Sequence, residues 1–239
     1  MFRQCSTALL LLLALTGCSQ KFNDVNDTVN LAFFGDKDIA LSAKEINQLP
    51  YASMYARVDD GPQAFMVLAF AENSTTLGLT DLTGLSNSSS LKPSHTQLKW
   101  VSADKGMLIT ENGRIVKTLN LPSGNLVNSR SNYADPLALG LHLASTPPHW
   151  QHTIDWQPGY HFGYPVKSEF TFFADEHLDI NDTIKLTKHY IEHVSIPTLD
   201  IKYDNHWWID PNNGAVIKSK QKLAPNLPYI ELILLKPFA

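Results

Sequence analysis

The chain has 239 residues, 44% of them hydrophobic, with 19 Lys and Arg against 23 Asp and Glu for a net charge of −4. That is enough apolar material for a packed core, and it excludes the strongly basic footprint of a nucleic-acid-binding protein. The two cysteines, Cys5 and Cys18, both lie near the N-terminus, so no disulfide framework can hold the rest together and stability must come from packing.

A short start with Arg3 as its only charge leads into an apolar run from Ala8 to Leu15. The run suits a signal-peptide core but cannot span a bilayer, which takes about 20 apolar residues. It ends in Leu15-Thr16-Gly17-Cys18, which resembles the processing site of bacterial lipoproteins. That resemblance implies cleavage before Cys18, a diacylglyceryl group on its thiol, and acylation of the new amino terminus. Residues 1–17 then form the signal peptide, 18–22 a lipidated tether, and 23–239 a single β-rich domain with a candidate break near 146–148. The competing reading is an ordinary secretory signal with an incidental cysteine. A single acyl chain binds a bilayer only marginally, at about 0.8 kcal/mol per buried methylene, so several chains are needed for a stable anchor. Ser19, rather than Asp, after the cysteine resembles an outer-membrane address, with the body facing the periplasm.

In the N-terminal half, Val25, Val29 and Leu31–Ala32 are spaced for one helical face between Asn23 and Phe34, with Gly35 as a stop. Ser42-Ala43-Lys44-Glu45 is a capping box, predicting a helix from Ala43 to Gln48 that ends before Pro50. Tyr51–Val58 and Gln63–Ala71 read as strands around the turn cluster Asp59-Asp60-Gly61-Pro62. Gly84–Ser94 is a polar loop, Gln97–Ser102 a strand, and Gly106–Thr118 a hairpin about Asn112-Gly113. A type I′ turn needs positive φ at both central residues, which that pair supplies. It places Glu111 opposite Arg114 as an expected cross-strand charge pair.

Leu119–Ser131 reads as irregular. Asp135-Pro136 opens a short apolar helix with its N-cap and first-turn proline in place. After Pro147-Pro148 the pattern is strongly β. Tyr160, Phe162, Tyr164, Val166, Phe170 and Phe172 fall on one face, and Leu199, Ile201, Tyr203, Trp207 and Ile209 repeat the alternation. Ala215–Leu223 and Tyr229–Leu235 complete nine or ten strands. The expected fold is mainly β: a large antiparallel curved sheet or partial barrel with two or three short helices, its aromatic faces inward.

His189-Tyr190-Ile191-Glu192-His193 matches H-x-x-E-H, the inverted zinc-peptidase motif. That chemistry needs a helix, whereas the β-branched, alternating flanks predict a strand. Its two histidine Cα atoms would lie about 13 Å apart, long for one tetrahedral zinc. Exposed strand histidines account for the motif better. His149 and His152 have no clear third ligand, so no metal or cofactor is expected. No nucleophile elbow, P-loop or dinucleotide fingerprint is present. Among the aromatics, Trp208 on the polar face of its strand and Trp150 after the double proline stand apart from the core as candidate partner or glycan contacts.

Four separated blocks, Leu49–Ser53, Leu98–Ser102, Asn112–Thr118, and Trp208–Pro211 with Gly214 and Lys218-Ser219, resemble the YjbF/GfcB lipoproteins that accompany exopolysaccharide and group 4 capsule operons. The resemblance runs from the lipobox nearly to the C-terminus. It implies an outer-membrane lipoprotein acting in production or export of a surface polysaccharide, with an outer-membrane barrel protein and periplasmic proteins as partners and a barrel-like β fold; it supplies no catalytic residues. Three functions compete. The first is a non-enzymatic accessory factor of the polysaccharide system. The second is a carrier or chaperone for a lipid or lipid-linked glycan, which requires an apolar cavity of a few hundred Å3. The third is an envelope glycan hydrolase, which requires paired carboxylates in a cleft.

Overall fold

The computed structural model describes residues 38–74 and 95–238. The expected helix at 23–34, the tether with Cys18 and the loop at 84–94 lie outside the described residues.

Among the described residues, strands run as β1 Ser53–Val58, β2 Gln63–Ser74, β3 His95–Ser102, β4 Met107–Glu111, β5 Arg114–Leu119, β6 Asn125–Arg130, β7 His149–Gln157, β8 His161–Ile180, β9 Thr183–Ile196, β10 Ile201–Ile209, β11 Val216–Lys222 and β12 Tyr229–Lys236. Two short helices, α1 Ala43–Gln48 and α2 Pro136–Leu139, and a 3₁₀ turn at Pro197–Leu199 accompany them. The pairings are antiparallel and join chain neighbours, save that β12 returns to pair with β1. The sheet therefore rolls into a nearly closed barrel whose one unladdered seam lies between β5 and β6.

Local chemistry sets the elements. Ser42 Oγ accepts from the Glu45 N–H while Glu45 Oε2 accepts from the Ser42 N–H, which closes the capping box of α1. Leu49, before Pro50, is already extended and ends the helix. Asn112 and Gly113 both take positive φ, making the tight β4–β5 turn. An added Cβ on Gly113 would lie 2.6 Å from Val216 Cβ.

Alternation along the strands sends Met54, Met66, Trp100, Leu108, Ile154, Trp156, Val194 and Ile230 into one interior cluster. A second cluster joins Leu137 and Leu141 to Trp150, Phe170, Trp207 and Ile209. Trp100 Nε1 donates to Thr110 Oγ1 at 2.9 Å, so its ring is buried with its polar handle satisfied. Tyr55 and Phe65, on the outer face, pack edge to face, and the Tyr55 hydroxyl accepts from the Leu41 N–H just before α1.

Three expectations are corrected. The stretch 119–131 contains β6, whose polar residues and a bulge against β7 between Leu126 and Asn128 mask the period-two signal. Tyr160, Phe162 and Phe172 are exposed rather than in the core. For Phe172 the reason is that β8 pairs with β7 only as far as Glu169, so the distal β8–β9 hairpin runs past the rest of the wall; a bulge between Phe172 and Ala174 then swaps the faces of the residues beyond it. Leu199 sits in the 3₁₀ turn and not in a strand.

Candidate functional site at the barrel seam

The seam is held at its turn end by side chains instead of a ladder. Thr118 Oγ1 accepts from the Leu126 N–H at 2.9 Å and donates to Asn125 Oδ1 at 3.2 Å, and the same Asn125 oxygen accepts from the Leu121 N–H. Toward the other end, β5, β6 and the loop after β6 flank a cleft of about 770 Å3.

Arg114, the residue after the Asn112-Gly113 turn, is drawn inward at the base of this cleft. Its register partner is Glu111, as the sequence predicts. Its charge goes elsewhere, however, and Glu111 instead accepts from Gln97 Nε2 at 2.8 Å. Arg114 donates through Nε (2.5 Å) and Nη2 (3.2 Å) to the two oxygens of Asp135, and through Nη1 to both oxygens of Glu192 at 3.1 Å. The guanidinium lies 4.5 Å from the Trp150 ring centroid and 4.9 Å from that of Trp207. Asp135 is at the same time the N-cap of α2, accepting from the Leu137 N–H, so one carboxylate ties the short helix to the barrel wall.

Glu192 is 0% exposed and also accepts from Asn205 Nδ2 and Trp207 Nε1, each at 3.1 Å. Burial opposes its ionisation most strongly, yet the Arg114 charge and these donors outweigh it and hold the carboxyl below its usual range. For Arg114, burial works against the charge and the two carboxylates more than restore it, so its pKa is raised. His152 stacks on Trp150 at 4.1 Å; burial first and the Arg114 charge second push its pKa down to about 3, so it is neutral.

Above this ionic base the cleft wall is polar and aromatic: Asn128, Asn132, Gln151, Arg130, Lys167 and Tyr133, the last 71% exposed. A second cavity, a half-open apolar pocket of about 620 Å3, is lined by Met54, Leu98, Trp100, Leu137 and Leu232. Its rim carries Leu139, Leu143 and Phe238, exposed by 44%, 47% and 50%.

The structure separates the two tryptophans singled out from sequence. Trp150 is only 7% exposed, with Arg114 and His152 against its ring, and it lines the seam cleft. Trp208 sits half-buried on the outer face, away from the cleft. It stacks on His189 at 4.3 Å, donates from Nε1 to Glu176 Oε2 at 2.7 Å, and has Lys218 Nζ 5.1 Å from its ring. His189 is buried rather than exposed; its Nδ1 pairs with Glu176 at 2.7 Å and its Nε2 with His206 at 3.0 Å. His193 is exposed on the outer face beside Asp204, while Glu192 between the two histidines points inward. Among the described residues no three His, Cys, Asp or Glu side chains are grouped to hold a metal ion. Cys18 lies outside the described residues.

Sequence reasoning missed the Arg114 cluster. The signal was present in β9, where Glu192 shares the inward register with Val194 and Ile196. A lone charge in an apolar row requires a buried partner.

Comparison with known proteins places this architecture. The family model described as "Group 4 capsule polysaccharide lipoprotein gfcB, YjbF" matches residues 26–235. The uncharacterized lipoprotein GfcB of Escherichia coli (strain K12) is 30% identical over 226 residues, 94% of each chain. The uncharacterized lipoprotein YjbF of the same strain is 28% identical over 233 residues, 95% of each. The crystal structure of the hypothetical lipoprotein YmcC from Escherichia coli (K12) superposes with a TM-score of 0.67 at 29% identity, covering 83% of this chain and 90% of that one.

Proposed function

Since the chain belongs to the YjbF family of group 4 capsule polysaccharide lipoproteins, we propose that it is a non-enzymatic accessory factor in the production or export of capsule or exopolysaccharide. In this reading lipid on Cys18 holds it in the outer membrane, the barrel faces the periplasm, and an outer-membrane barrel protein and periplasmic proteins of the same system are its partners. The observation that carries the non-enzymatic part is the Arg114 clamp. Glycoside hydrolysis needs one carboxyl kept protonated as an acid beside a second that acts as nucleophile or base. Here Asp135 is engaged through both oxygens, and Glu192 is sealed beneath four donated hydrogen bonds with its pKa lowered. Neither carboxylate of this clamp is left free to supply a proton to a ligand in the cleft.

The test is deletion of the gene in a strain grown under conditions that induce its polysaccharide. Loss of surface polysaccharide, restored by the full chain, is the expected result; normal amounts in the deletion strain overturn the reading. The apolar pocket of about 620 Å3 favours a second reading, carriage of a lipid or lipid-linked glycan, because pockets of roughly 300–1,000 Å3 with apolar walls are the usual size for ligands.

A further inference from the structure

The seam cleft and the apolar pocket are neighbours: Asn112 at the β4–β5 turn and Ala138 on α2 line both. One side of this shared wall is apolar down to Met54 and Trp100. The other offers Asn128, Asn132, Gln151 and the open ring of Tyr133, side chains that hydrogen-bond hydroxyls and pack against sugar faces. The rim of the apolar side keeps Leu139 and Leu143 in solvent on and just after α2. With Phe238 they gather three half-exposed apolar side chains at one rim, a patch rather than scattered surface residues. α2 is fixed in place by the Asp135–Arg114 clamp, so the wall between the cavities is held rigidly at its base.

We infer that the two cavities form one composite site for an amphipathic glycolipid, its apolar chain in the pocket under α2 and its first sugars in the seam cleft. The inference rests on the accessory reading above and names the ligand class that reading leaves open. Neither half binds strongly alone. Joined across one wall, they act at high effective concentration, which raises affinity far beyond either part when the linkage spans the two sites.

The experiment uses the full-length lipidated chain in nanodiscs, with heats from empty nanodiscs subtracted. Three ligands are titrated: dodecanoate, an oligosaccharide released from the cell's own surface polysaccharide, and that oligosaccharide carrying a dodecyl chain at its reducing end. The conjugate is expected to bind at least about tenfold more tightly than either part. Leu139→Asp and Tyr133→Ala alter exposed positions that the fold does not need. The first should abolish dodecanoate binding and the gain in the conjugate while sparing the free oligosaccharide. The second should weaken the oligosaccharide and spare dodecanoate. A conjugate that binds no tighter than its better half, or variants that weaken both parts equally, overturn the composite site. If that happens while the deletion strain still loses its polysaccharide, the accessory reading stands and only the glycolipid site falls. Normal polysaccharide in the deletion strain overturns the accessory reading whatever the conjugate does.

Discussion

Replacing Arg114 with Met leaves the stem and removes the guanidinium. Asp135 then loses a bidentate partner but remains near solvent, with a side chain 15% exposed. Glu192 cannot escape in the same way. It keeps Asn205 and Trp207 as donors yet becomes a fully buried carboxylate with no counter-charge. Breaking a buried pair from one side costs about 3–5 kcal/mol. For a domain of this size each kcal/mol lowers Tm by about 2–4 °C, which gives a fall of roughly 6–20 °C at pH 7.5. The pH dependence identifies the cause. In the native chain the lowered Glu192 pKa contributes stability above its unfolded value near 4.5, lost as pH falls through the folded value. In the variant burial, the largest influence on this carboxyl, is opposed only by neutral donors such as Asn205 and Trp207 and raises that pKa, so the folded state takes up a proton the unfolded state does not hold. The deficit is therefore largest near neutral pH and shrinks toward pH 4.5. The double variant Arg114→Met, Glu192→Met should recover most of the loss, because an apolar replacement of a buried pair is often neutral or better. Thermal denaturation monitored by near-UV circular dichroism at pH 4.5 and 7.5 measures all of this. A deficit below about 1 kcal/mol, or one of equal size at both pH values, would refute the reasoning.

Other outcomes follow from the same geometry. Thr118→Val keeps the shape but leaves the buried Leu126 N–H without its acceptor, so urea denaturation should show a loss of about 1–3 kcal/mol and amide exchange at Leu126 should accelerate. Gly113→Ala forces a side chain into φ +86° and against Val216; left-handed backbone alone costs about 1–2 kcal/mol, to be read from the urea midpoint. His152, neutral in the fold with its pKa at about 3, contributes stability that is complete above pH 6.5 and lost progressively as pH falls from 6.5 toward 3. His152→Phe preserves the stacking on Trp150 and should flatten the dependence of Tm on pH between 4.5 and 6.5; an unchanged slope contradicts the assignment. Ser42→Ala removes the side-chain half of the capping box, the Oγ that accepts from the Glu45 N–H, while the Glu45 carboxylate keeps the backbone N–H of residue 42; the loss should be about 1 kcal/mol, seen as reduced protection at Ile46.

What the sequence made legible was whatever is decided within a few residues. The capping box at Ser42, the Asn112-Gly113 turn, the Asp135-Pro136 helix start and the alternation of Tyr203, Trp207 and Ile209 are all local, and the structure has each of them. β6 escaped because its side chains serve a seam and a cleft rather than a core face, so they lack the apolar rhythm of a half-buried strand. The exposed Phe172 escaped because it continues the alternation of Val166 and Phe170, while the end of β7 pairing at Glu169, which leaves it uncovered, is not marked in the residues around it. The candidate site was legible only in pieces. Arg114, Asp135 and Glu192 were each visible as charges, but the closure of β1 on β12 that brings them together is a property of the whole ring. Trp150 was set apart from the core, yet it is a buried residue of β7 in the second core cluster, and its place in the cleft wall depends on a guanidinium contributed from β5.

Surface polysaccharide is measured in a deletion strain complemented, at equal protein levels, with the full chain or with Tyr133→Ala. The full chain should restore polysaccharide, and Tyr133→Ala, stable but altered in the seam cleft, should restore markedly less. Full restoration by Tyr133→Ala would contradict the seam cleft as the working site of this lipoprotein.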